Sequence, residues 1–232
     1  MTLPKDLALG DRPRYRTGVY LTTLLRERHT RAGPRVGDTR SRWGRVRTVN
    51  RRPASYELRP FERLHAPLIA SWVRDDDELF WLAPQTPPPV TPEKVIGWTI
   101  RRGRPLLLWP PEASAPIGYA ELNDMPTHPD ELWIGHFIIA LDHRGLGLSR
   151  EMLRLLLRRA FGPLRAERVA LIVFPANEPA IRCYRSGGLR TVGFQERTFA
   201  SRPGPHKMRE MAIDRMGYDA LIRGSDETSG SR

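Results

Sequence analysis

Residues 141–153 read LDHRGLGLSREML and join an apolar segment to a leucine-rich pattern that is typical of a helix. Two glycines, Gly145 and Gly147, stand where the chain must turn. Glycine lacks a Cβ atom, so it adopts turn conformations that other residues avoid. The first N–H groups of a helix have no partner within the helix, and they attract anions. This stretch therefore predicts a strand, an anion-binding turn and a helix in succession.

Three other glycine motifs do not fit this turn. A dinucleotide-binding fingerprint needs a third glycine at position 150, where the chain has Arg150. A P-loop needs glycine, lysine and then serine or threonine, and the sequence has no such triplet. A nucleophile elbow needs serine between two glycines in the order G-x-S-x-G, and Ser149 does not stand in one.

The turn resembles the R/Q-x-x-G-x-G/A signature of the GNAT superfamily, the acyl-CoA-dependent N-acetyltransferases. The matching residues are Arg144, Gly145, Leu146, Gly147, Leu148 and Ser149. Ser149 stands where the family usually has glycine or alanine, a change that is small in volume.

A second stretch about 30 residues later strengthens the resemblance. Residues 168–194 read RVALIVFPANEPAIRCYRSGGLRTVGF, similar to the strand, asparagine and tyrosine-bearing helix that follow the signature in the family. Asn177, Tyr184 and the pair Gly188-Leu189 fall in the expected order. The likeness spans roughly residues 55 to 216.

The pattern from residue 56 onwards predicts one α/β (α+β) domain over residues 55–216. The resemblance implies a GNAT fold, a central mixed and mostly antiparallel sheet of about six to seven strands flanked by about four helices. Strands are predicted at 56–61, 104–110, 115–123, 131–141, 168–175, 190–199 and 206–214. Helices are predicted at 66–75, 91–103, 149–161 and 177–188, with Thr91 and Asn177 as N-caps. Residues 217–232 are predicted to be a disordered tail.

The net charge of +12 comes mainly from the first part of the chain. Residues 1–55 hold 14 Lys and Arg against 4 Asp and Glu, so the remaining residues are nearly neutral. Residues 1–54 are therefore interpreted as a basic, flexible extension that attracts RNA, the ribosome or another acidic partner. The alternatives are a solvated tail, or translation starting near Val46 or Val49.

The remaining composition favours a cytoplasmic protein. The single cysteine, Cys183, excludes an internal disulfide and fits a reducing compartment. No apolar stretch approaches the roughly 20 residues that span a membrane, and the first residues lack the apolar middle of a signal peptide. We expect a monomer or homodimer without a metal.

The resemblance also implies the reaction, which is direct attack of an amine on the thioester of acetyl-CoA as cosubstrate. Successive N–H groups from Gly145 to Ser149, with Arg144, are expected to bind the pyrophosphate. The pantetheine arm is expected to pair with the strand Phe137, Ile138, Ile139, Ala140 and Leu141, whose N–H groups would stabilise the oxyanion. Tyr184 resembles the general acid of the family, and Asn177 belongs to the same site.

The sequence leaves the general base open. Glu131 and His136 are the leading candidates and Glu121 is the third. The alternatives are a solvated carboxylate at the strand edge for Glu131 and a packed histidine for His136.

The acceptor is predicted only as a class. Trp72, Phe80, Trp81 and Trp98 are candidates for an apolar pocket, although at least two are expected to pack in the core. Because no strand supplies an unambiguous base, we expect a small-molecule amine or a protein N-terminus of modest basicity. The alternative is a non-catalytic acyl-CoA sensor, or a module that binds nucleic acid or the ribosome through the basic extension.

Overall fold

The computed structural model describes residues 55–99 and 103–229, so the predicted extension 1–54 lies outside the described residues. The strands are β1 Glu57–Pro60, β2 Gly103–Trp109, β3 Gly118–Met125, β4 His128–Ile139, β5 Arg168–Val173, β6 Arg190–Phe199 and β7 Arg202–Asp214. The α-helices are α1 Ala66–Ser71, α2 Asp76–Leu82, α3 Pro92–Trp98, α4 Leu148–Phe161, α5 Glu178–Ser186 and α6 Arg215–Ser229.

The strands form one seven-stranded sheet in the order β1-β2-β3-β4-β5-β7-β6. All neighbouring pairs are antiparallel except β4 and β5, which are parallel. The predicted mixed and mostly antiparallel sheet of the GNAT fold is therefore confirmed.

Strands β4 and β5 are paired over only a short length. Residues Glu131–Trp133 match 168–170, and within the described residues no later β4 position pairs with β5. Beyond Trp133 the two strands diverge, while β4 stays paired with β3 as far as Ile139. The divergence leaves one edge of β4 open in the middle of the sheet.

Strand β4 also carries a bulge at the start of its open part. Its register against β3 shifts by one residue between the positions opposite Tyr119 and Glu121. His136 lies in this interval with φ of +44°, which is uncommon for a residue other than glycine, although asparagine, aspartate and histidine adopt it more often than the rest. A bulge redirects the side chains that follow it, and here it decides which way His136 points.

The predicted helix caps are confirmed. The side chain of Thr91 accepts a hydrogen bond from the N–H of Lys94, and the side chain of Asn177 accepts one from the N–H of Ala180. The helix predicted over residues 66–75 is shorter, since α1 ends at Ser71, and α2, which was not predicted, follows at Asp76. Asp75 starts α2, because its carboxylate accepts the N–H of Glu78 at 2.8 Å.

Helix α4 fills the core on one face of the sheet. Met152, Leu156 and Ala160 are buried, whereas Leu155 is only partly buried. Leu153 and Leu157 are also buried, because α5 packs on the flank of α4. The buried face of α4 is therefore wide.

The prediction of a disordered tail from residue 217 is wrong, because α6 continues to Ser229. Asp214 accepts the N–H of Gly217 at 2.8 Å and begins the helix. The ring of Tyr218 stacks on Phe161 with centroids 4.5 Å apart. These contacts join the C-terminal segment to α4, so the domain extends beyond residue 216.

Within the described residues no helix combines the length and apolar composition needed to cross a bilayer.

Candidate active site

A cavity of about 550 Å³ opens where β4 and β5 diverge. Its walls come from the open part of β4, the glycine turn, α5, α2 and the end of β5. Ten of the predicted site residues line it, namely His136, Phe137, Ile138, Ile139, Arg144, Gly145, Leu148, Ser149, Asn177 and Tyr184. The other predicted residues, Glu131, Ala140, Leu141, Leu146 and Gly147, do not line it.

The glycine turn presents free N–H groups at one end of this cavity. Gly145 and Gly147 have φ of +77° and +78°, in the left-handed region that favours glycine. The first N–H bonded to a carbonyl of this turn belongs to Arg150, which donates to Gly147 at 3.0 Å. Within the described residues the five N–H groups of 145–149 have no backbone acceptor. They stand at the positive end of a 14-residue helix, so the turn is suited to an anion.

Arg144 is held by three acceptors of the protein itself. Its Nε donates to the carbonyl of Ile139 at 2.8 Å and its Nη2 to that of Trp72 at 2.9 Å. Its Nη1 donates to Oε1 of Glu78 at 2.5 Å. The guanidinium thus joins the turn to β4, α1 and α2, and its observed role is to position the turn.

The open edge of β4 lies along the side of the cavity. Phe137, Ile138 and Ile139 line the cavity and have β3 on one side, while no described strand pairs with them on the other. Backbone groups on that free side are available to an extended ligand, as in strand addition.

Tyr184 is buried in the cavity wall on α5. Its ring meets Phe137 edge-on with centroids 6.0 Å apart. Within the described residues its hydroxyl has no hydrogen-bond partner. Burial raises the pKa of Tyr184 well above its ordinary value, and the neighbouring Cys183 adds to the effect. The phenol is therefore protonated and free to donate.

His136 stands in the same cavity in front of a buried carboxylate. Its Nδ1 lies 3.0 Å from Oε1 of Glu121, at ion-pair distance although not aligned as a hydrogen bond. Glu121 is 2 % exposed and also accepts the hydroxyl of Tyr119 at 2.5 Å and the amide of Asn123 at 3.3 Å. The ring of His136 stacks on Trp98 with centroids 4.6 Å apart. The imidazole is consequently fixed from two sides.

Tyr119 is the innermost member of this group. Burial raises the pKa of Tyr119 far above its ordinary value, and the charge and hydrogen bond of Glu121 raise it further. The phenol therefore stays protonated and donates to the carboxylate. The β4 bulge, which is not visible in the sequence, brings His136 to this group.

Glu131 lies away from the cavity in an ion pair with Arg168. Arg168 also binds Glu210 at 2.9 Å, so this cation holds two carboxylates. The pairing follows from the parallel register, in which Glu131 stands opposite Arg168. The structure thus brings His136 and Tyr184 to one cavity and leaves Glu131 outside it.

Of the four aromatic candidates for the pocket, Trp72, Phe80 and Trp98 are buried in the interior, so the prediction that at least two pack there is confirmed. Trp81 is 39 % exposed and lines the cavity. Trp133, which the sequence analysis did not single out, also lines it. Its alternation with the buried Leu132 and Ile134 was a usable signal, because it places Trp133 on the other face of the sheet.

The hairpin of β6 and β7 is fastened to α2 and the loop that follows it. Ser201 donates to the carbonyl of Pro84 at 2.5 Å, and Arg202 binds Asp77 at 2.6 Å. The ring of Phe199 packs on that of Phe80 with centroids 5.6 Å apart.

Across the part of the chain that the structure describes, no three His, Cys, Asp or Glu side chains are grouped so that they could hold a metal.

Comparison with known proteins gives a family and a set of structural neighbours. The model of the Acetyltransferase (GNAT) family matches residues 46–188. A spermidine N-acetyltransferase from Vibrio cholerae, solved with CoA and spermine, has a TM-score of 0.60 at 19 % identity and covers 71 % of this chain and 98 % of its own.

The aminoglycoside acetyltransferase AAC(6')-Ib is a second structural neighbour. Its structure with paromomycin and acetyl-CoA has a TM-score of 0.58 at 20 % identity, covering 71 % of this chain and 96 % of its own. Its structure with CoA and kanamycin has a TM-score of 0.57 at 20 % identity, covering 72 % and 98 %. At these identities the neighbours establish a shared fold.

Proposed function

The chain belongs to the GNAT acetyltransferase family, and on that premise we propose that it transfers an acetyl group from acetyl-CoA to a primary amine. The observation that carries the proposal is one cavity that ends at the glycine turn and holds the hydroxyl of Tyr184 in its wall. Within the described residues, the N–H groups of 145–149 have no backbone acceptor and this hydroxyl has no hydrogen-bond partner. The first feature suits a pyrophosphate, and the second suits a leaving group that needs a proton.

The cavity fits acetyl-CoA along its length. The N–H groups of 145–149 would hold the pyrophosphate, and the open edge of β4 at Phe137–Ile139 would pair with the pantetheine arm. When bound, acetyl-CoA supplies a thioester whose acyl carbon accepts the amine. Structural neighbours solved with CoA or acetyl-CoA support this assignment.

In the proposed reaction the amine nitrogen forms a bond to the acyl carbon, the carbon–sulfur bond breaks, and the thiolate leaves. His136 accepts the proton that the amine loses, since an imidazole can exchange a proton near neutral pH. The carboxylate of Glu121 lies 3.0 Å from Nδ1, on the side of the ring away from the proton transfer. Backbone N–H groups on the free side of β4 stabilise charge on the carbonyl oxygen.

Tyr184 donates its proton to the departing thiolate. A raised pKa would make a phenol a poor donor to an ordinary thiolate, but the same burial acts on sulfur. Burial raises the pKa of the neighbouring Cys183 thiol, although Ser149 and Arg150 oppose the rise. A thiolate leaving within this cavity is therefore more basic than in water, and the transfer from Tyr184 remains feasible.

The acceptor is a small-molecule amine or a protein N-terminus. An α-amine is partly neutral at pH 7, whereas a lysine-like amine is almost wholly charged and demands a stronger base. The neighbours are enzymes for spermidine and aminoglycosides, which supports an amine acceptor. Neither the family match nor these neighbours support a non-catalytic sensor or a nucleic-acid module.

Thiol release from acetyl-CoA, measured with mass detection of the acetylated amine, tests the proposal. Peptides, monoamines, polyamines and aminoglycosides serve as acceptors, and calorimetry measures acetyl-CoA binding separately. We expect equal amounts of thiol and acetylated amine. Binding of acetyl-CoA without transfer to any amine would leave a non-catalytic binder.

A further inference from the structure

Resting on the proposed acetyl transfer, we propose that the acceptor is an amine with a single positive charge and an aromatic or apolar body that packs against Trp81 and Trp133. This class differs from spermine and paromomycin, the polycations with which the structural neighbours were solved. The distribution of charge around the cavity and the chemistry of its wall both support it.

The cavity wall offers no free carboxylate to a polycation. Among the described residues that line it, Glu78 is the single acidic one. Its Oε1 accepts Nη1 of Arg144, and its Oε2 accepts the backbone N–H of Arg74 at 2.7 Å. Arg74 and Arg144 also line the cavity, so the charged side chains of the wall sum to a positive value.

Four carboxylates outside the wall are also compensated. Glu121 is enclosed by Tyr119, Asn123 and His136. Glu131 and Glu210 share Arg168, and Asp77 is paired with Arg202. A second or third ammonium group on the acceptor would lose hydration without gaining a counter-charge, which costs free energy.

The same wall offers apolar surface instead. Trp81 on α2 and Trp133 on β4 line the cavity, and Ile172, Phe174 and Met208 continue the apolar lining. Aromatic rings pack on such faces by stacking or edge contact, and a single ammonium is attracted to an indole ring. One charge can therefore be accommodated where several cannot.

A matched acceptor panel tests the inference on the intact protein. Tryptamine, 2-phenylethylamine and hexylamine represent apolar monoamines, tryptophanamide represents an apolar α-amine that is partly neutral at pH 7, and spermidine and kanamycin represent polycations. We expect kcat/KM for the best monoamine to exceed that for either polycation by at least about tenfold, as for an uncompensated buried charge. Equal or better use of spermidine or kanamycin overturns the inference and leaves acetyl transfer intact. Failure with every amine overturns the proposed function and the inference together.

Variants of the two tryptophans test where the acceptor body binds. Trp81→Ala and Trp133→Ala should each raise KM for tryptamine by roughly tenfold through lost aromatic packing, with smaller changes in kcat. Phe194→Ala is the matched control, because Phe194 is 52 % exposed and lies outside the cavity lining. Unchanged KM in both tryptophan variants, once melting shows that they are folded, contradicts the assigned binding face.

Trp81→Glu supplies the carboxylate that the wall lacks. Because Trp81 is partly exposed, the change should leave the domain folded. We expect kcat/KM to fall for tryptamine and to rise for spermidine. An unaltered preference between these two amines would count against charge as the basis of selection.

Discussion

At the scale of single residues, the proposed chemistry depends on Tyr184 and His136, which the fold treats differently. Tyr184 is buried, and within the described residues its hydroxyl has no hydrogen-bond partner, so it keeps its proton until a leaving group needs it. His136 remains partly exposed, with a carboxylate behind one nitrogen and an indole against its ring. Their separate surroundings suit one to donate a proton and the other to accept one.

Tyr184→Phe should lower kcat by roughly 10²-fold, the usual scale for loss of one proton donor, while acetyl-CoA affinity stays close to wild type. The ring still packs on Phe137, and only the hydroxyl is lost. The pKa of Tyr184 is raised on folding, so its neutral form persists through pH 10 and its contribution to stability declines only above that pH. Ionisation of Tyr184 should therefore cause no loss of wild-type kcat at any pH below 10. An undiminished kcat in the variant, with chemistry rate-limiting, would remove Tyr184 as the acid.

His136→Asn tests the base with little cost in backbone strain, since asparagine tolerates positive φ. We expect kcat/KM to fall by about 10²- to 10⁴-fold. Glu131→Gln is the control, because Glu131 is paired with Arg168 outside the cavity. If Glu131→Gln is slow across the pH range and His136→Asn is not, Glu131 is the base.

At the scale of elements, the glycine turn and the start of α4 form one anion-binding unit. Arg144 fixes its position by bonds to three other elements, and positive φ at two glycines exposes the N–H groups. The unit would lose its shape if either glycine gained a side chain, although free space surrounds both Cβ positions. Glycine is therefore required at these two positions by their positive φ and not by a lack of space for a side chain.

Gly147→Ala should weaken acetyl-CoA binding by about 5- to 30-fold, because an L-residue held at positive φ costs roughly 1–2 kcal/mol. Titration calorimetry measures the change. Gly97→Ala is the matched control, since Gly97 lies within α3 with free space around its Cβ position and no positive φ. Unchanged affinity in folded Gly147→Ala would separate this turn from the acetyl-CoA site.

Helix α6 should contribute to stability although the sequence marks it as a tail. Tyr218→Ala removes the stack on Phe161, which is worth about 0.5–1.5 kcal/mol beyond the area buried. We expect Tm to fall by about 2–6 °C, measured by calorimetry or circular dichroism. Met216→Ala, at a position that is 81 % exposed, should leave Tm unchanged. An equal Tm for both variants would show that α6 adds nothing to the fold.

At the scale of the whole molecule, catalysis and basic charge lie in different parts of the chain. The cavity and every proposed catalytic group lie within residues 72–208, whereas residues 1–55 carry a net charge of +10. Net charge of this kind affects which surfaces attract the protein.

Deleting residues 1–52 should leave cooperative melting and intrinsic acetyl transfer nearly unchanged. Calorimetry and the thiol assay measure the two properties on the shortened chain. If the extension serves an acidic partner, affinity for RNA should fall on deletion, and that of the full chain should weaken as salt rises. Loss of cooperative melting would instead place part of the folded domain before Pro53.

The sequence by itself determined the features that depend on neighbouring residues. Glycine spacing located the turn, Thr91 and Asn177 marked helix starts, and alternation marked the strands. The order of motifs also placed Tyr184 on α5. Each of these follows from local backbone preferences, which a short stretch of chain expresses wherever it lies.

Tertiary structure alone decided the contacts between distant residues. Arg168 pairs with Glu131, which lies 37 positions earlier in the chain, and Arg144 pairs with Glu78, which lies 66 positions earlier. The bulge at His136 and the divergence of β4 from β5 arise from pairing between strands. Helix α6 packs on α4 through the contact between Tyr218 and Phe161. These contacts depend on which surfaces pack together when the core forms. The helix and strand propensities of a short segment do not determine that packing.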